Sequence, residues 1–429
     1  MAGRNAFYAQ AGGVTAVINA TAASLIEACR ESGRIGKVFA GRDGILGAFR
    51  EDLIDTSLES AATLAALRHT PGGAFGSARF RLGEFDDERA RYERLASVFA
   101  AHDIGYVFYN GGNGSADTTL KLSRLPYLLG LPLACVHVPK TVDNDLPETD
   151  CSPGFASAAK YLAVSLREAA ADVASMCSTS TRVFILEAMG RHAGWMVAAM
   201  GLAIDERGDP PHLLLFAEVP FDENLVMERV SENVARHGYC VIGVSEGLRH
   251  PTGEFVAQVG EAVPGRNAQL GGVAPWLAAR VHDRLGFKCH WATADYLQRS
   301  ARHVASATDL EHAEAVGRAA VQLALAGRTG VMPTIVRDAD DPYAWHVGCA
   351  DLHAIATLEK RLPAEFIAAD RLHITDIARA YLAPLIRGEA AAPFRNGLPV
   401  HARIAGHRAP RRLPEASALV ESVAAAKKT

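Results

Sequence analysis

The chain lacks the cysteine and histidine patterns that mark disulfide scaffolds and zinc sites. Its seven cysteines are scattered without a C-x-x-C pair, and its sixteen histidines show no spacing typical of zinc ligands. An odd number of scattered thiols predicts reduced cysteines, as in a cytoplasmic protein. The sequence therefore argues against a small secreted domain held together by disulfides.

Long apolar runs and a strong net charge are also missing. No run reaches the roughly 20 apolar residues that a membrane helix needs, and the N-terminus shows no apolar core behind basic residues, so no signal peptide is expected. The formal net charge is −4, whereas proteins that bind nucleic acid without sequence preference present a basic surface. We therefore expect a cytoplasmic protein that binds neither nucleic acid nor membranes.

Several common catalytic motifs are absent as well. The chain contains no Walker A sequence, no G-x-G-x-x-G and no H-E-x-x-H. The segment Gly243–Gly247 does match the G-x-S-x-G pattern of serine hydrolases, and it follows a strand-like run. However, Pro251 and Gly253 predict a turn where that fold requires a helix. A hydrolase is thus a minor alternative, and Glu246 fits better as a carboxylate hydrogen-bonded to sugar hydroxyls.

Short apolar runs, glycine-rich turns and helical periodicity follow one another three times along the chain. This alternation predicts an α/β fold, in which mostly parallel sheets are covered by helices on both faces. The 429 residues, 49% of them hydrophobic, allow two such sheets. The units, each a strand, a turn and a helix, are Ala6–Ala9, Gly12-Gly13 and Val14–Arg30; Tyr106–Tyr109, Gly111–Ser115 and Ala116–Leu122; and Val183–Leu186, Met189–Arg191 and Ala193–Ala203.

A turn rich in proline and glycine, Asp150–Phe155, predicts a boundary between two domains. We expect one domain at residues 1–155, with a return segment near 300–345, and a second domain at 156–299. Residues 346–429 are expected to form a mainly helical extension whose last helix covers 415–428.

The most informative segment is Pro139–Asp145, which follows the hydrophobic run Leu131–Val138. It contains Lys140 and two carboxylates, Asp143 and Asp145, where a strand is expected to end. Catalytic residues of open α/β sheets collect at such ends. A carboxylate there can accept a hydroxyl proton, and an ammonium can neutralise a phosphate, so the segment predicts phosphoryl transfer. Alternatively, the aspartates stabilise a turn and the lysine is a solvated charge.

Two glycine-rich loops and an arginine favour the same chemistry. Gly12-Gly13 and Gly111–Ser115 each open a helix, where backbone amides and the helix dipole attract phosphate. Asn113 could orient a phosphate or a metal-bound water, and Ser115 could bind phosphate or cap the helix. Arg79 follows a third glycine-rich loop and suits bidentate phosphate binding. The alternative is a set of packing turns with a solvated arginine.

Taken together, these segments resemble the phosphofructokinase family from Asn5 to about Ala301. Five motifs stand in the family's order: Gly-Gly, Gly-Gly-Asn-Gly-Ser, Pro-Lys-Thr-Val-Asp-Asn-Asp, Met-Gly-Arg and Tyr-Leu-Gln-Arg. The segments Asn5–Gln10 and His69–Gly76 are most similar to the bacterial pyrophosphate-dependent branch. The resemblance implies two Rossmann-like three-layer domains. It also implies reversible phosphoryl transfer from pyrophosphate to the 1-hydroxyl of fructose 6-phosphate, in glycolysis or gluconeogenesis.

The resemblance also assigns roles to residues. It implies that Asp143 is the general base, that Lys140 stabilises the leaving phosphate and that Arg191 counters transition-state charge. Mg²⁺ would be held by Asn113 and Asp145. The residues implied for the pyrophosphate site are Gly13, Arg79, Gly112, Asn113, Gly114, Ser115 and Lys140. Those implied for the sugar site are Thr141, Val142, Asp143, Arg182, Met189, Gly190, Arg191, Glu246, Tyr296 and Arg299.

The family implies that Arg182 crosses a subunit interface, which predicts a homodimer or homotetramer. Lys140 favours pyrophosphate, because ATP-using relatives commonly have glycine there. Gly114 stands where the pyrophosphate branch usually has a blocking aspartate, so an ATP-dependent enzyme is the alternative. Asn113 also replaces a common aspartate, and His290 replaces an arginine frequent in ATP users. A non-catalytic regulator that binds sugar phosphates is the alternative from another class.

Overall fold

The structure, a computed structural model, describes residues 3–206, 208–259 and 269–414. The helix predicted at 415–428 lies outside these residues. The strands are β1 (Asn5–Ala11), β2 (Val38–Gly41), β3 (Leu53–Asp55), β4 (Ser77–Ala78), β5 (Ile104–Gly111), β6 (Ala134–Pro139), β7 (Val183–Ala188), β8 (Leu213–Leu215), β9 (Cys240–Ser245), β10 (Gln258–Val259), β11 (Gln269–Leu270), β12 (Cys289–Thr293), β13 (Val331–Asp340), β14 (Tyr343–Asp351), β15 (Phe394–Arg395) and β16 (Leu398–Pro399). The α-helices are α1 (Ile18–Ser32), α2 (Ile45–Arg50), α3 (Ala61–Leu67), α4 (Phe85–Ala101), α5 (Asn113–Leu122), α6 (Leu125–Leu129), α7 (Phe155–Met176), α8 (Trp195–Met200), α9 (Glu223–His237), α10 (Val273–Leu285), α11 (Asp295–Ser300), α12 (Ala307–Leu325) and α13 (Asp376–Leu382).

The first sheet has the strand order β14-β13-β6-β5-β1-β2-β3, with β4 paired to β1. Its central strands β6, β5, β1 and β2 are parallel. Successive residues of β1 enter cores on opposite faces: Tyr8 packs with Leu25 of α1, and Phe7 packs with Phe99 of α4. Burial on both faces explains why this strand is a continuous apolar run.

The second sheet has the order β12-β7-β9-β8, and all its strands are parallel. Helices α7 and α8 cover one face, and α9 and α10 cover the other. The prediction of two α/β units with mostly parallel sheets is therefore confirmed. Within the described ranges, no helix combines the length and the apolar character needed to cross a bilayer.

The connection from β6 to α7 links the two sheets and carries the Pro139–Asp145 segment. Its far end is fixed by the buried carboxylate of Asp309 on α12, which accepts hydrogen bonds from the amides of Gly154 (2.8 Å) and Ser157 (3.0 Å). These amides lie at the start of α7, where a helix has no internal acceptors and favours a negative charge. The start of the 22-residue helix α7 is thus held against the layer that covers the first sheet.

The C-terminal part differs from the mainly helical extension expected from its sequence. Residues 346–414 contain the end of β14, the seven-residue helix α13, three short 3₁₀ turns and the β15-β16 hairpin. The chain then returns to the first sheet in extended form: Asp55 N donates to His407 O (2.8 Å), and Ala409 N donates to Leu53 O (2.8 Å). The alanine-rich composition predicted helices, but composition carries no information about the pairing of β14 with β13.

Candidate active site

The glycine-rich loops and the Pro139–Asp145 segment meet at one edge of the first sheet. Strands β1, β5 and β6 are parallel neighbours, so the loops after Ala11, Gly111 and Pro139 leave the same edge. Lys140 N donates to Gly111 O (3.0 Å), which joins the second and third of these loops. The predicted convergence at the carboxyl ends of the strands is therefore observed.

Asp143 and Asp145 lie on either side of Asn144, which adopts a left-handed backbone (φ +52°). The Asp143 amide donates to Thr141 Oγ1 (3.1 Å). Burial raises the pKa of Asp143 to about 7, and the Asp145 and Glu246 carboxylates add to this increase. Burial also raises the pKa of Asp145, whose Oδ1 is buried without a hydrogen-bond partner among the described residues. A carboxylate with a pKa near neutrality suits a general base.

Lys140 is buried between two loops, with only 4% of its surface exposed. Its ammonium donates a hydrogen bond to Gly13 O (2.5 Å). Burial lowers its pKa to about 8, although Asp143 and Asp145 oppose this effect by stabilising the charge. A buried cation next to two carboxylates is not a solvated lysine, so that alternative is wrong.

The loop after β5 supplies Asn113 as the first residue of α5. The Asn113 amide nitrogen donates to the carbonyls of Leu358 and Asp145. The expected cap at Ser115 is wrong, because Gly112 is the cap and Ser115 lies buried in the first turn. Its hydroxyl packs where a Cβ on Gly111 would stand, so this position requires glycine.

Two arginines follow the short strand β4 near the loops after β5 and β6. Arg79 is exposed, and its positive charge contributes to the lowered pKa of Lys140. Arg81, which the sequence did not single out, lies beside Gly114: a Cβ on this glycine would be 3.4 Å from Arg81 Nε. The side chain thus lines the space left by the missing aspartate. Its position two residues after Arg79 is the feature of the sequence from which its place in the site could have been predicted.

The second sheet contributes loops after β7 and β9. Glu246 N donates to Ala188 O (2.9 Å), and Gly190 N donates to Glu246 Oε1 (3.4 Å). Burial raises the pKa of Glu246, and the nearby Arg191 opposes this shift. Gly190 has φ +131°, and a Cβ there would be 2.6 Å from Ala193 O. The Met189–Arg191 loop therefore depends on glycine to keep its shape beside Glu246.

Ser245 is fully buried and bonded to the backbone of both loops. Its hydroxyl donates to Gly190 O (2.8 Å) and accepts from Gly247 N (3.1 Å). Residues 246–259 contain no helix, as Pro251 and Gly253 predicted. Ser245 is therefore a structural link, and the hydrolase alternative is wrong.

Arg299 of α11 joins the two halves of the site. Its guanidinium lies 4.0 Å from the centre of the Tyr296 ring and so close to Gly13 that a Cβ there would collide with Nη1. Its charge acts on both Lys140 and Asp143, where it lowers each pKa. The sequence predicted Arg299 for the sugar site alone, but the structure also places it against the Gly13 loop.

Two predicted residues, Arg182 and Val142, do not join this cluster through their side chains, and neither does His290, which the sequence marked only as the replacement of a frequent arginine. Arg182 precedes β7, whereas the site residues follow its other end, about 20 Å away at 3.3 Å per residue. The Val142 side chain packs into the core between α7 and α8, which leaves its backbone for ligand contact. His290 is exposed within the edge strand β12. Within one chain, Arg182 therefore stays apart from the site.

The site thus combines a half-buried carboxylate, a buried ammonium and glycine-rich loops beside two α/β sheets. The phosphofructokinase family profile matches residues 5–324, and the chain belongs to this family. The pyrophosphate–fructose 6-phosphate 1-phosphotransferase of Halomonas elongata is 59% identical over 416 residues, which span 97% of this chain and 99% of the relative. The enzyme of that name from Methylococcus capsulatus is 57% identical over 96% of this chain and 99% of its own length.

A solved structure shows the same architecture. The crystal structure of the pyrophosphate-dependent phosphofructokinase from Nitrosospira multiformis is 53% identical to this chain and superimposes with a TM-score of 0.89. The match covers 96% of this chain and 100% of that one. The predicted family and fold are thereby confirmed.

Proposed function

We propose that this protein transfers a phosphoryl group from pyrophosphate to the 1-hydroxyl of fructose 6-phosphate, reversibly, and releases phosphate and fructose 1,6-bisphosphate. The observation that carries this proposal is the buried ammonium of Lys140, which bonds to Gly13 O and interacts electrostatically with Asp143. Pyrophosphate is small and highly charged, so its site needs cations rather than an apolar pocket. Relatives of 54–59% identity over nearly the whole chain carry the name of this activity.

The proposal gives each step of the transfer to a residue. Asp143 accepts the proton of the sugar 1-hydroxyl while the hydroxyl oxygen attacks phosphorus and the bond to the leaving phosphate breaks. Lys140 stabilises the charge that develops on this phosphate, and Arg191 stabilises the transferring group. In the reverse direction the protonated Asp143 returns its proton to the sugar oxygen. Such a base contributes roughly 10²–10⁴-fold to the rate.

Phosphoryl transfer requires a divalent cation, and the residues present fit a Mg²⁺ ion that takes only a few of its ligands from the protein. Asp145 Oδ1 is buried and without a partner among the described residues, and the amide oxygen of Asn113 is the part of that side chain that suits a cation. No group of three or more His, Cys, Asp or Glu side chains within the described ranges could hold a metal. Mg²⁺ commonly binds through one or two carboxylates plus substrate phosphates, whose charge it neutralises. Asp145 with Asn113 would therefore hold it.

The donor is tested by assaying the purified protein with pyrophosphate or ATP at equal Mg²⁺. We expect turnover with pyrophosphate to exceed turnover with ATP, because Lys140 and Arg81 fill the donor side with charge. Gly114 favours the ATP-dependent alternative, since it leaves room beside the phosphates. Robust turnover with ATP and none with pyrophosphate would overturn the proposal. Binding of fructose 6-phosphate without turnover would favour the regulator instead.

The division of labour and the assembly are part of the same proposal. The first sheet, residues 1–155 with the return segment near 300–345, would bind the donor, and residues 156–299 would bind the sugar. Arg182 would enter the sugar site of a neighbouring subunit, which requires a homodimer or homotetramer. The free cysteines suit a cytoplasmic location.

A further inference from the structure

A short segment beyond the family-matched region, here termed the strap (Leu358–Leu362), runs between the two loops that carry the chemistry. The family profile ends at residue 324, and the strap follows β14. On one side it bonds to the loop that holds Asp143 and Asp145. On the other side it bonds to residues that directly follow Arg191.

The first set of contacts fixes the loop of the two aspartates. The backbone amide of Lys360 donates to Asp145 O (2.8 Å). The Lys360 ammonium donates to Thr149 O (2.8 Å), Asp150 O (2.9 Å) and, more weakly, Asn144 Oδ1 (3.4 Å). The Lys360 side chain is half-buried, and these three acceptors match the three N–H donors of its ammonium.

Asn144 transmits the contact with Lys360 to the two carboxylates, Asp143 and Asp145, on either side of it. It holds a left-handed backbone between them, a conformation that costs energy for a residue other than glycine. Its Oδ1 accepts from Ser152 N (3.0 Å) in addition to the Lys360 ammonium. The strained residue is therefore held from two sides, and loss of one hold lets Asp143 and Asp145 move relative to each other.

The second set of contacts ties the strap to the sugar-phosphate side. His192 Nδ1 lies 3.0 Å from Glu359 Oε2, directly after Arg191 in the chain. Trp195 Nε1 donates to Lys360 O (3.2 Å). The half-buried carboxylate of Glu218 accepts from both Leu362 N (3.1 Å) and Gly194 N (2.8 Å). The strap is thus bonded to both loops within five residues.

We propose that the strap is part of the active-site machinery and that Lys360 is a positioning residue. Lys360 fixes the position of the loop that carries Asp143 relative to the loop that carries Arg191. The inference rests on the proposed function, because it concerns the geometry of that transfer. A misplacement of about 1 Å between reacting groups can cost 10²-fold in rate, so an anchor without substrate contact can still control turnover.

The test compares Lys360→Met with Lys160→Met. Lys160 serves as the control, because it is a buried lysine whose ammonium likewise bonds to a backbone carbonyl, but it contacts Gly388 O (2.6 Å) and Glu389 Oε1 (2.9 Å) rather than the loop of Asp143 and Asp145. Both variants are expected to lower Tm. Only Lys360→Met should lower kcat, by about 10²-fold, while KM for each substrate changes little. A kcat for folded Lys360→Met equal to that of Lys160→Met would overturn the proposal.

A second variant keeps the proposal testable if Lys360→Met does not fold. Glu359 is about half exposed and pairs with His192, so Glu359→Ala should leave Tm nearly unchanged. We expect kcat to fall about fivefold because the Arg191 side of the strap is released. An unchanged kcat would overturn the proposal. Turnover of the unsubstituted protein with pyrophosphate is measured in parallel, so a failed donor proposal is recognised separately.

Discussion

The ammonium of Lys140 donates a hydrogen bond to the backbone carbonyl of Gly13, 127 positions away in the sequence. This bond joins the loops after β1 and β6 and holds a positive charge beside Asp143. Because the lysine is buried, its charge is poorly screened by water and acts strongly on any phosphate nearby. In the proposed function, this bond would fix the Gly13 loop and hold the ammonium where the leaving phosphate needs a positive charge.

Removal of this ammonium is expected to depress the pyrophosphate reaction. Lys140→Gly removes both the charge and the buried stem, whereas Lys140→Met keeps the stem and removes only the charge. Each should lower kcat by about 10²–10³-fold, the usual loss when one group that stabilises transition-state charge is removed. Steady-state kinetics with pyrophosphate checks this. A rate for Lys140→Met near that of the parent would contradict the leaving-group role.

The pH dependence of the forward reaction is expected to follow the ionisation of Asp143 and Lys140. Asp143 must be ionised to accept a proton, and its pKa is raised to about 7, so kcat/KM should fall below that pH. Lys140 must be charged, and its pKa is lowered to about 8, so kcat/KM should fall again above that pH. The expected profile is a narrow bell, because kcat/KM reports groups of the free enzyme.

The Asp143→Asn variant serves as the control for this profile. It keeps the shape of the side chain but cannot accept the proton, so it should lose turnover by orders of magnitude and still bind fructose 6-phosphate. A kcat/KM that stays flat from pH 5 to pH 9 in the parent would show that neither group controls the rate.

Much of the fold and part of the site were predictable because buried parallel strands appear in the sequence as short, continuous apolar runs. Strands β1, β5, β7 and β9 are nearly continuous apolar runs, and polar residues that follow such runs must lie at one edge of a sheet. That reasoning found Lys140 and Asp143. The same reasoning could not find Lys360, because this lysine follows no strand directly and bonds to Asn144 across 216 positions. Ser115 was misassigned because the preceding Gly112 can itself take the extended cap conformation.

Arg182 provides a test of assembly through hybrid enzymes. It lies at the far end of β7 from the site residues of its own chain, so we expect Arg182→Ala and Asp143→Ala to be inactive separately. When both are coexpressed, a mixed dimer has one site with an intact base and an intact partner arginine. Random pairing then leaves about a quarter of the sites intact in a two-fold symmetric dimer. Recovery of turnover in the mixture checks this, and a mixture as inactive as its parents would place Arg182 outside the neighbouring site.

Arg81 gives a prediction about donor choice, because it lines the space next to Gly114. A Cβ on Gly114 would lie 3.4 Å from Arg81 Nε, so the arginine limits the room that Gly114 leaves. Arg81→Ala should open this room and raise kcat/KM for ATP relative to pyrophosphate by about tenfold, or ~1.4 kcal/mol. Because Arg81 is exposed, the change should not alter Tm appreciably.

The double variant Arg81→Ala with Gly114→Asp tests whether the room beside Gly114 or the positive charge of Arg81 sets the donor preference. An aspartate in the first turn of α5 is favoured by the helix dipole, and it would refill the opened room with a carboxylate that repels the ATP phosphates. The ratio of kcat/KM values should then return toward pyrophosphate. If Arg81→Ala leaves the ratio unchanged, the arginine does not discriminate between the donors, and Lys140 alone would account for the preference.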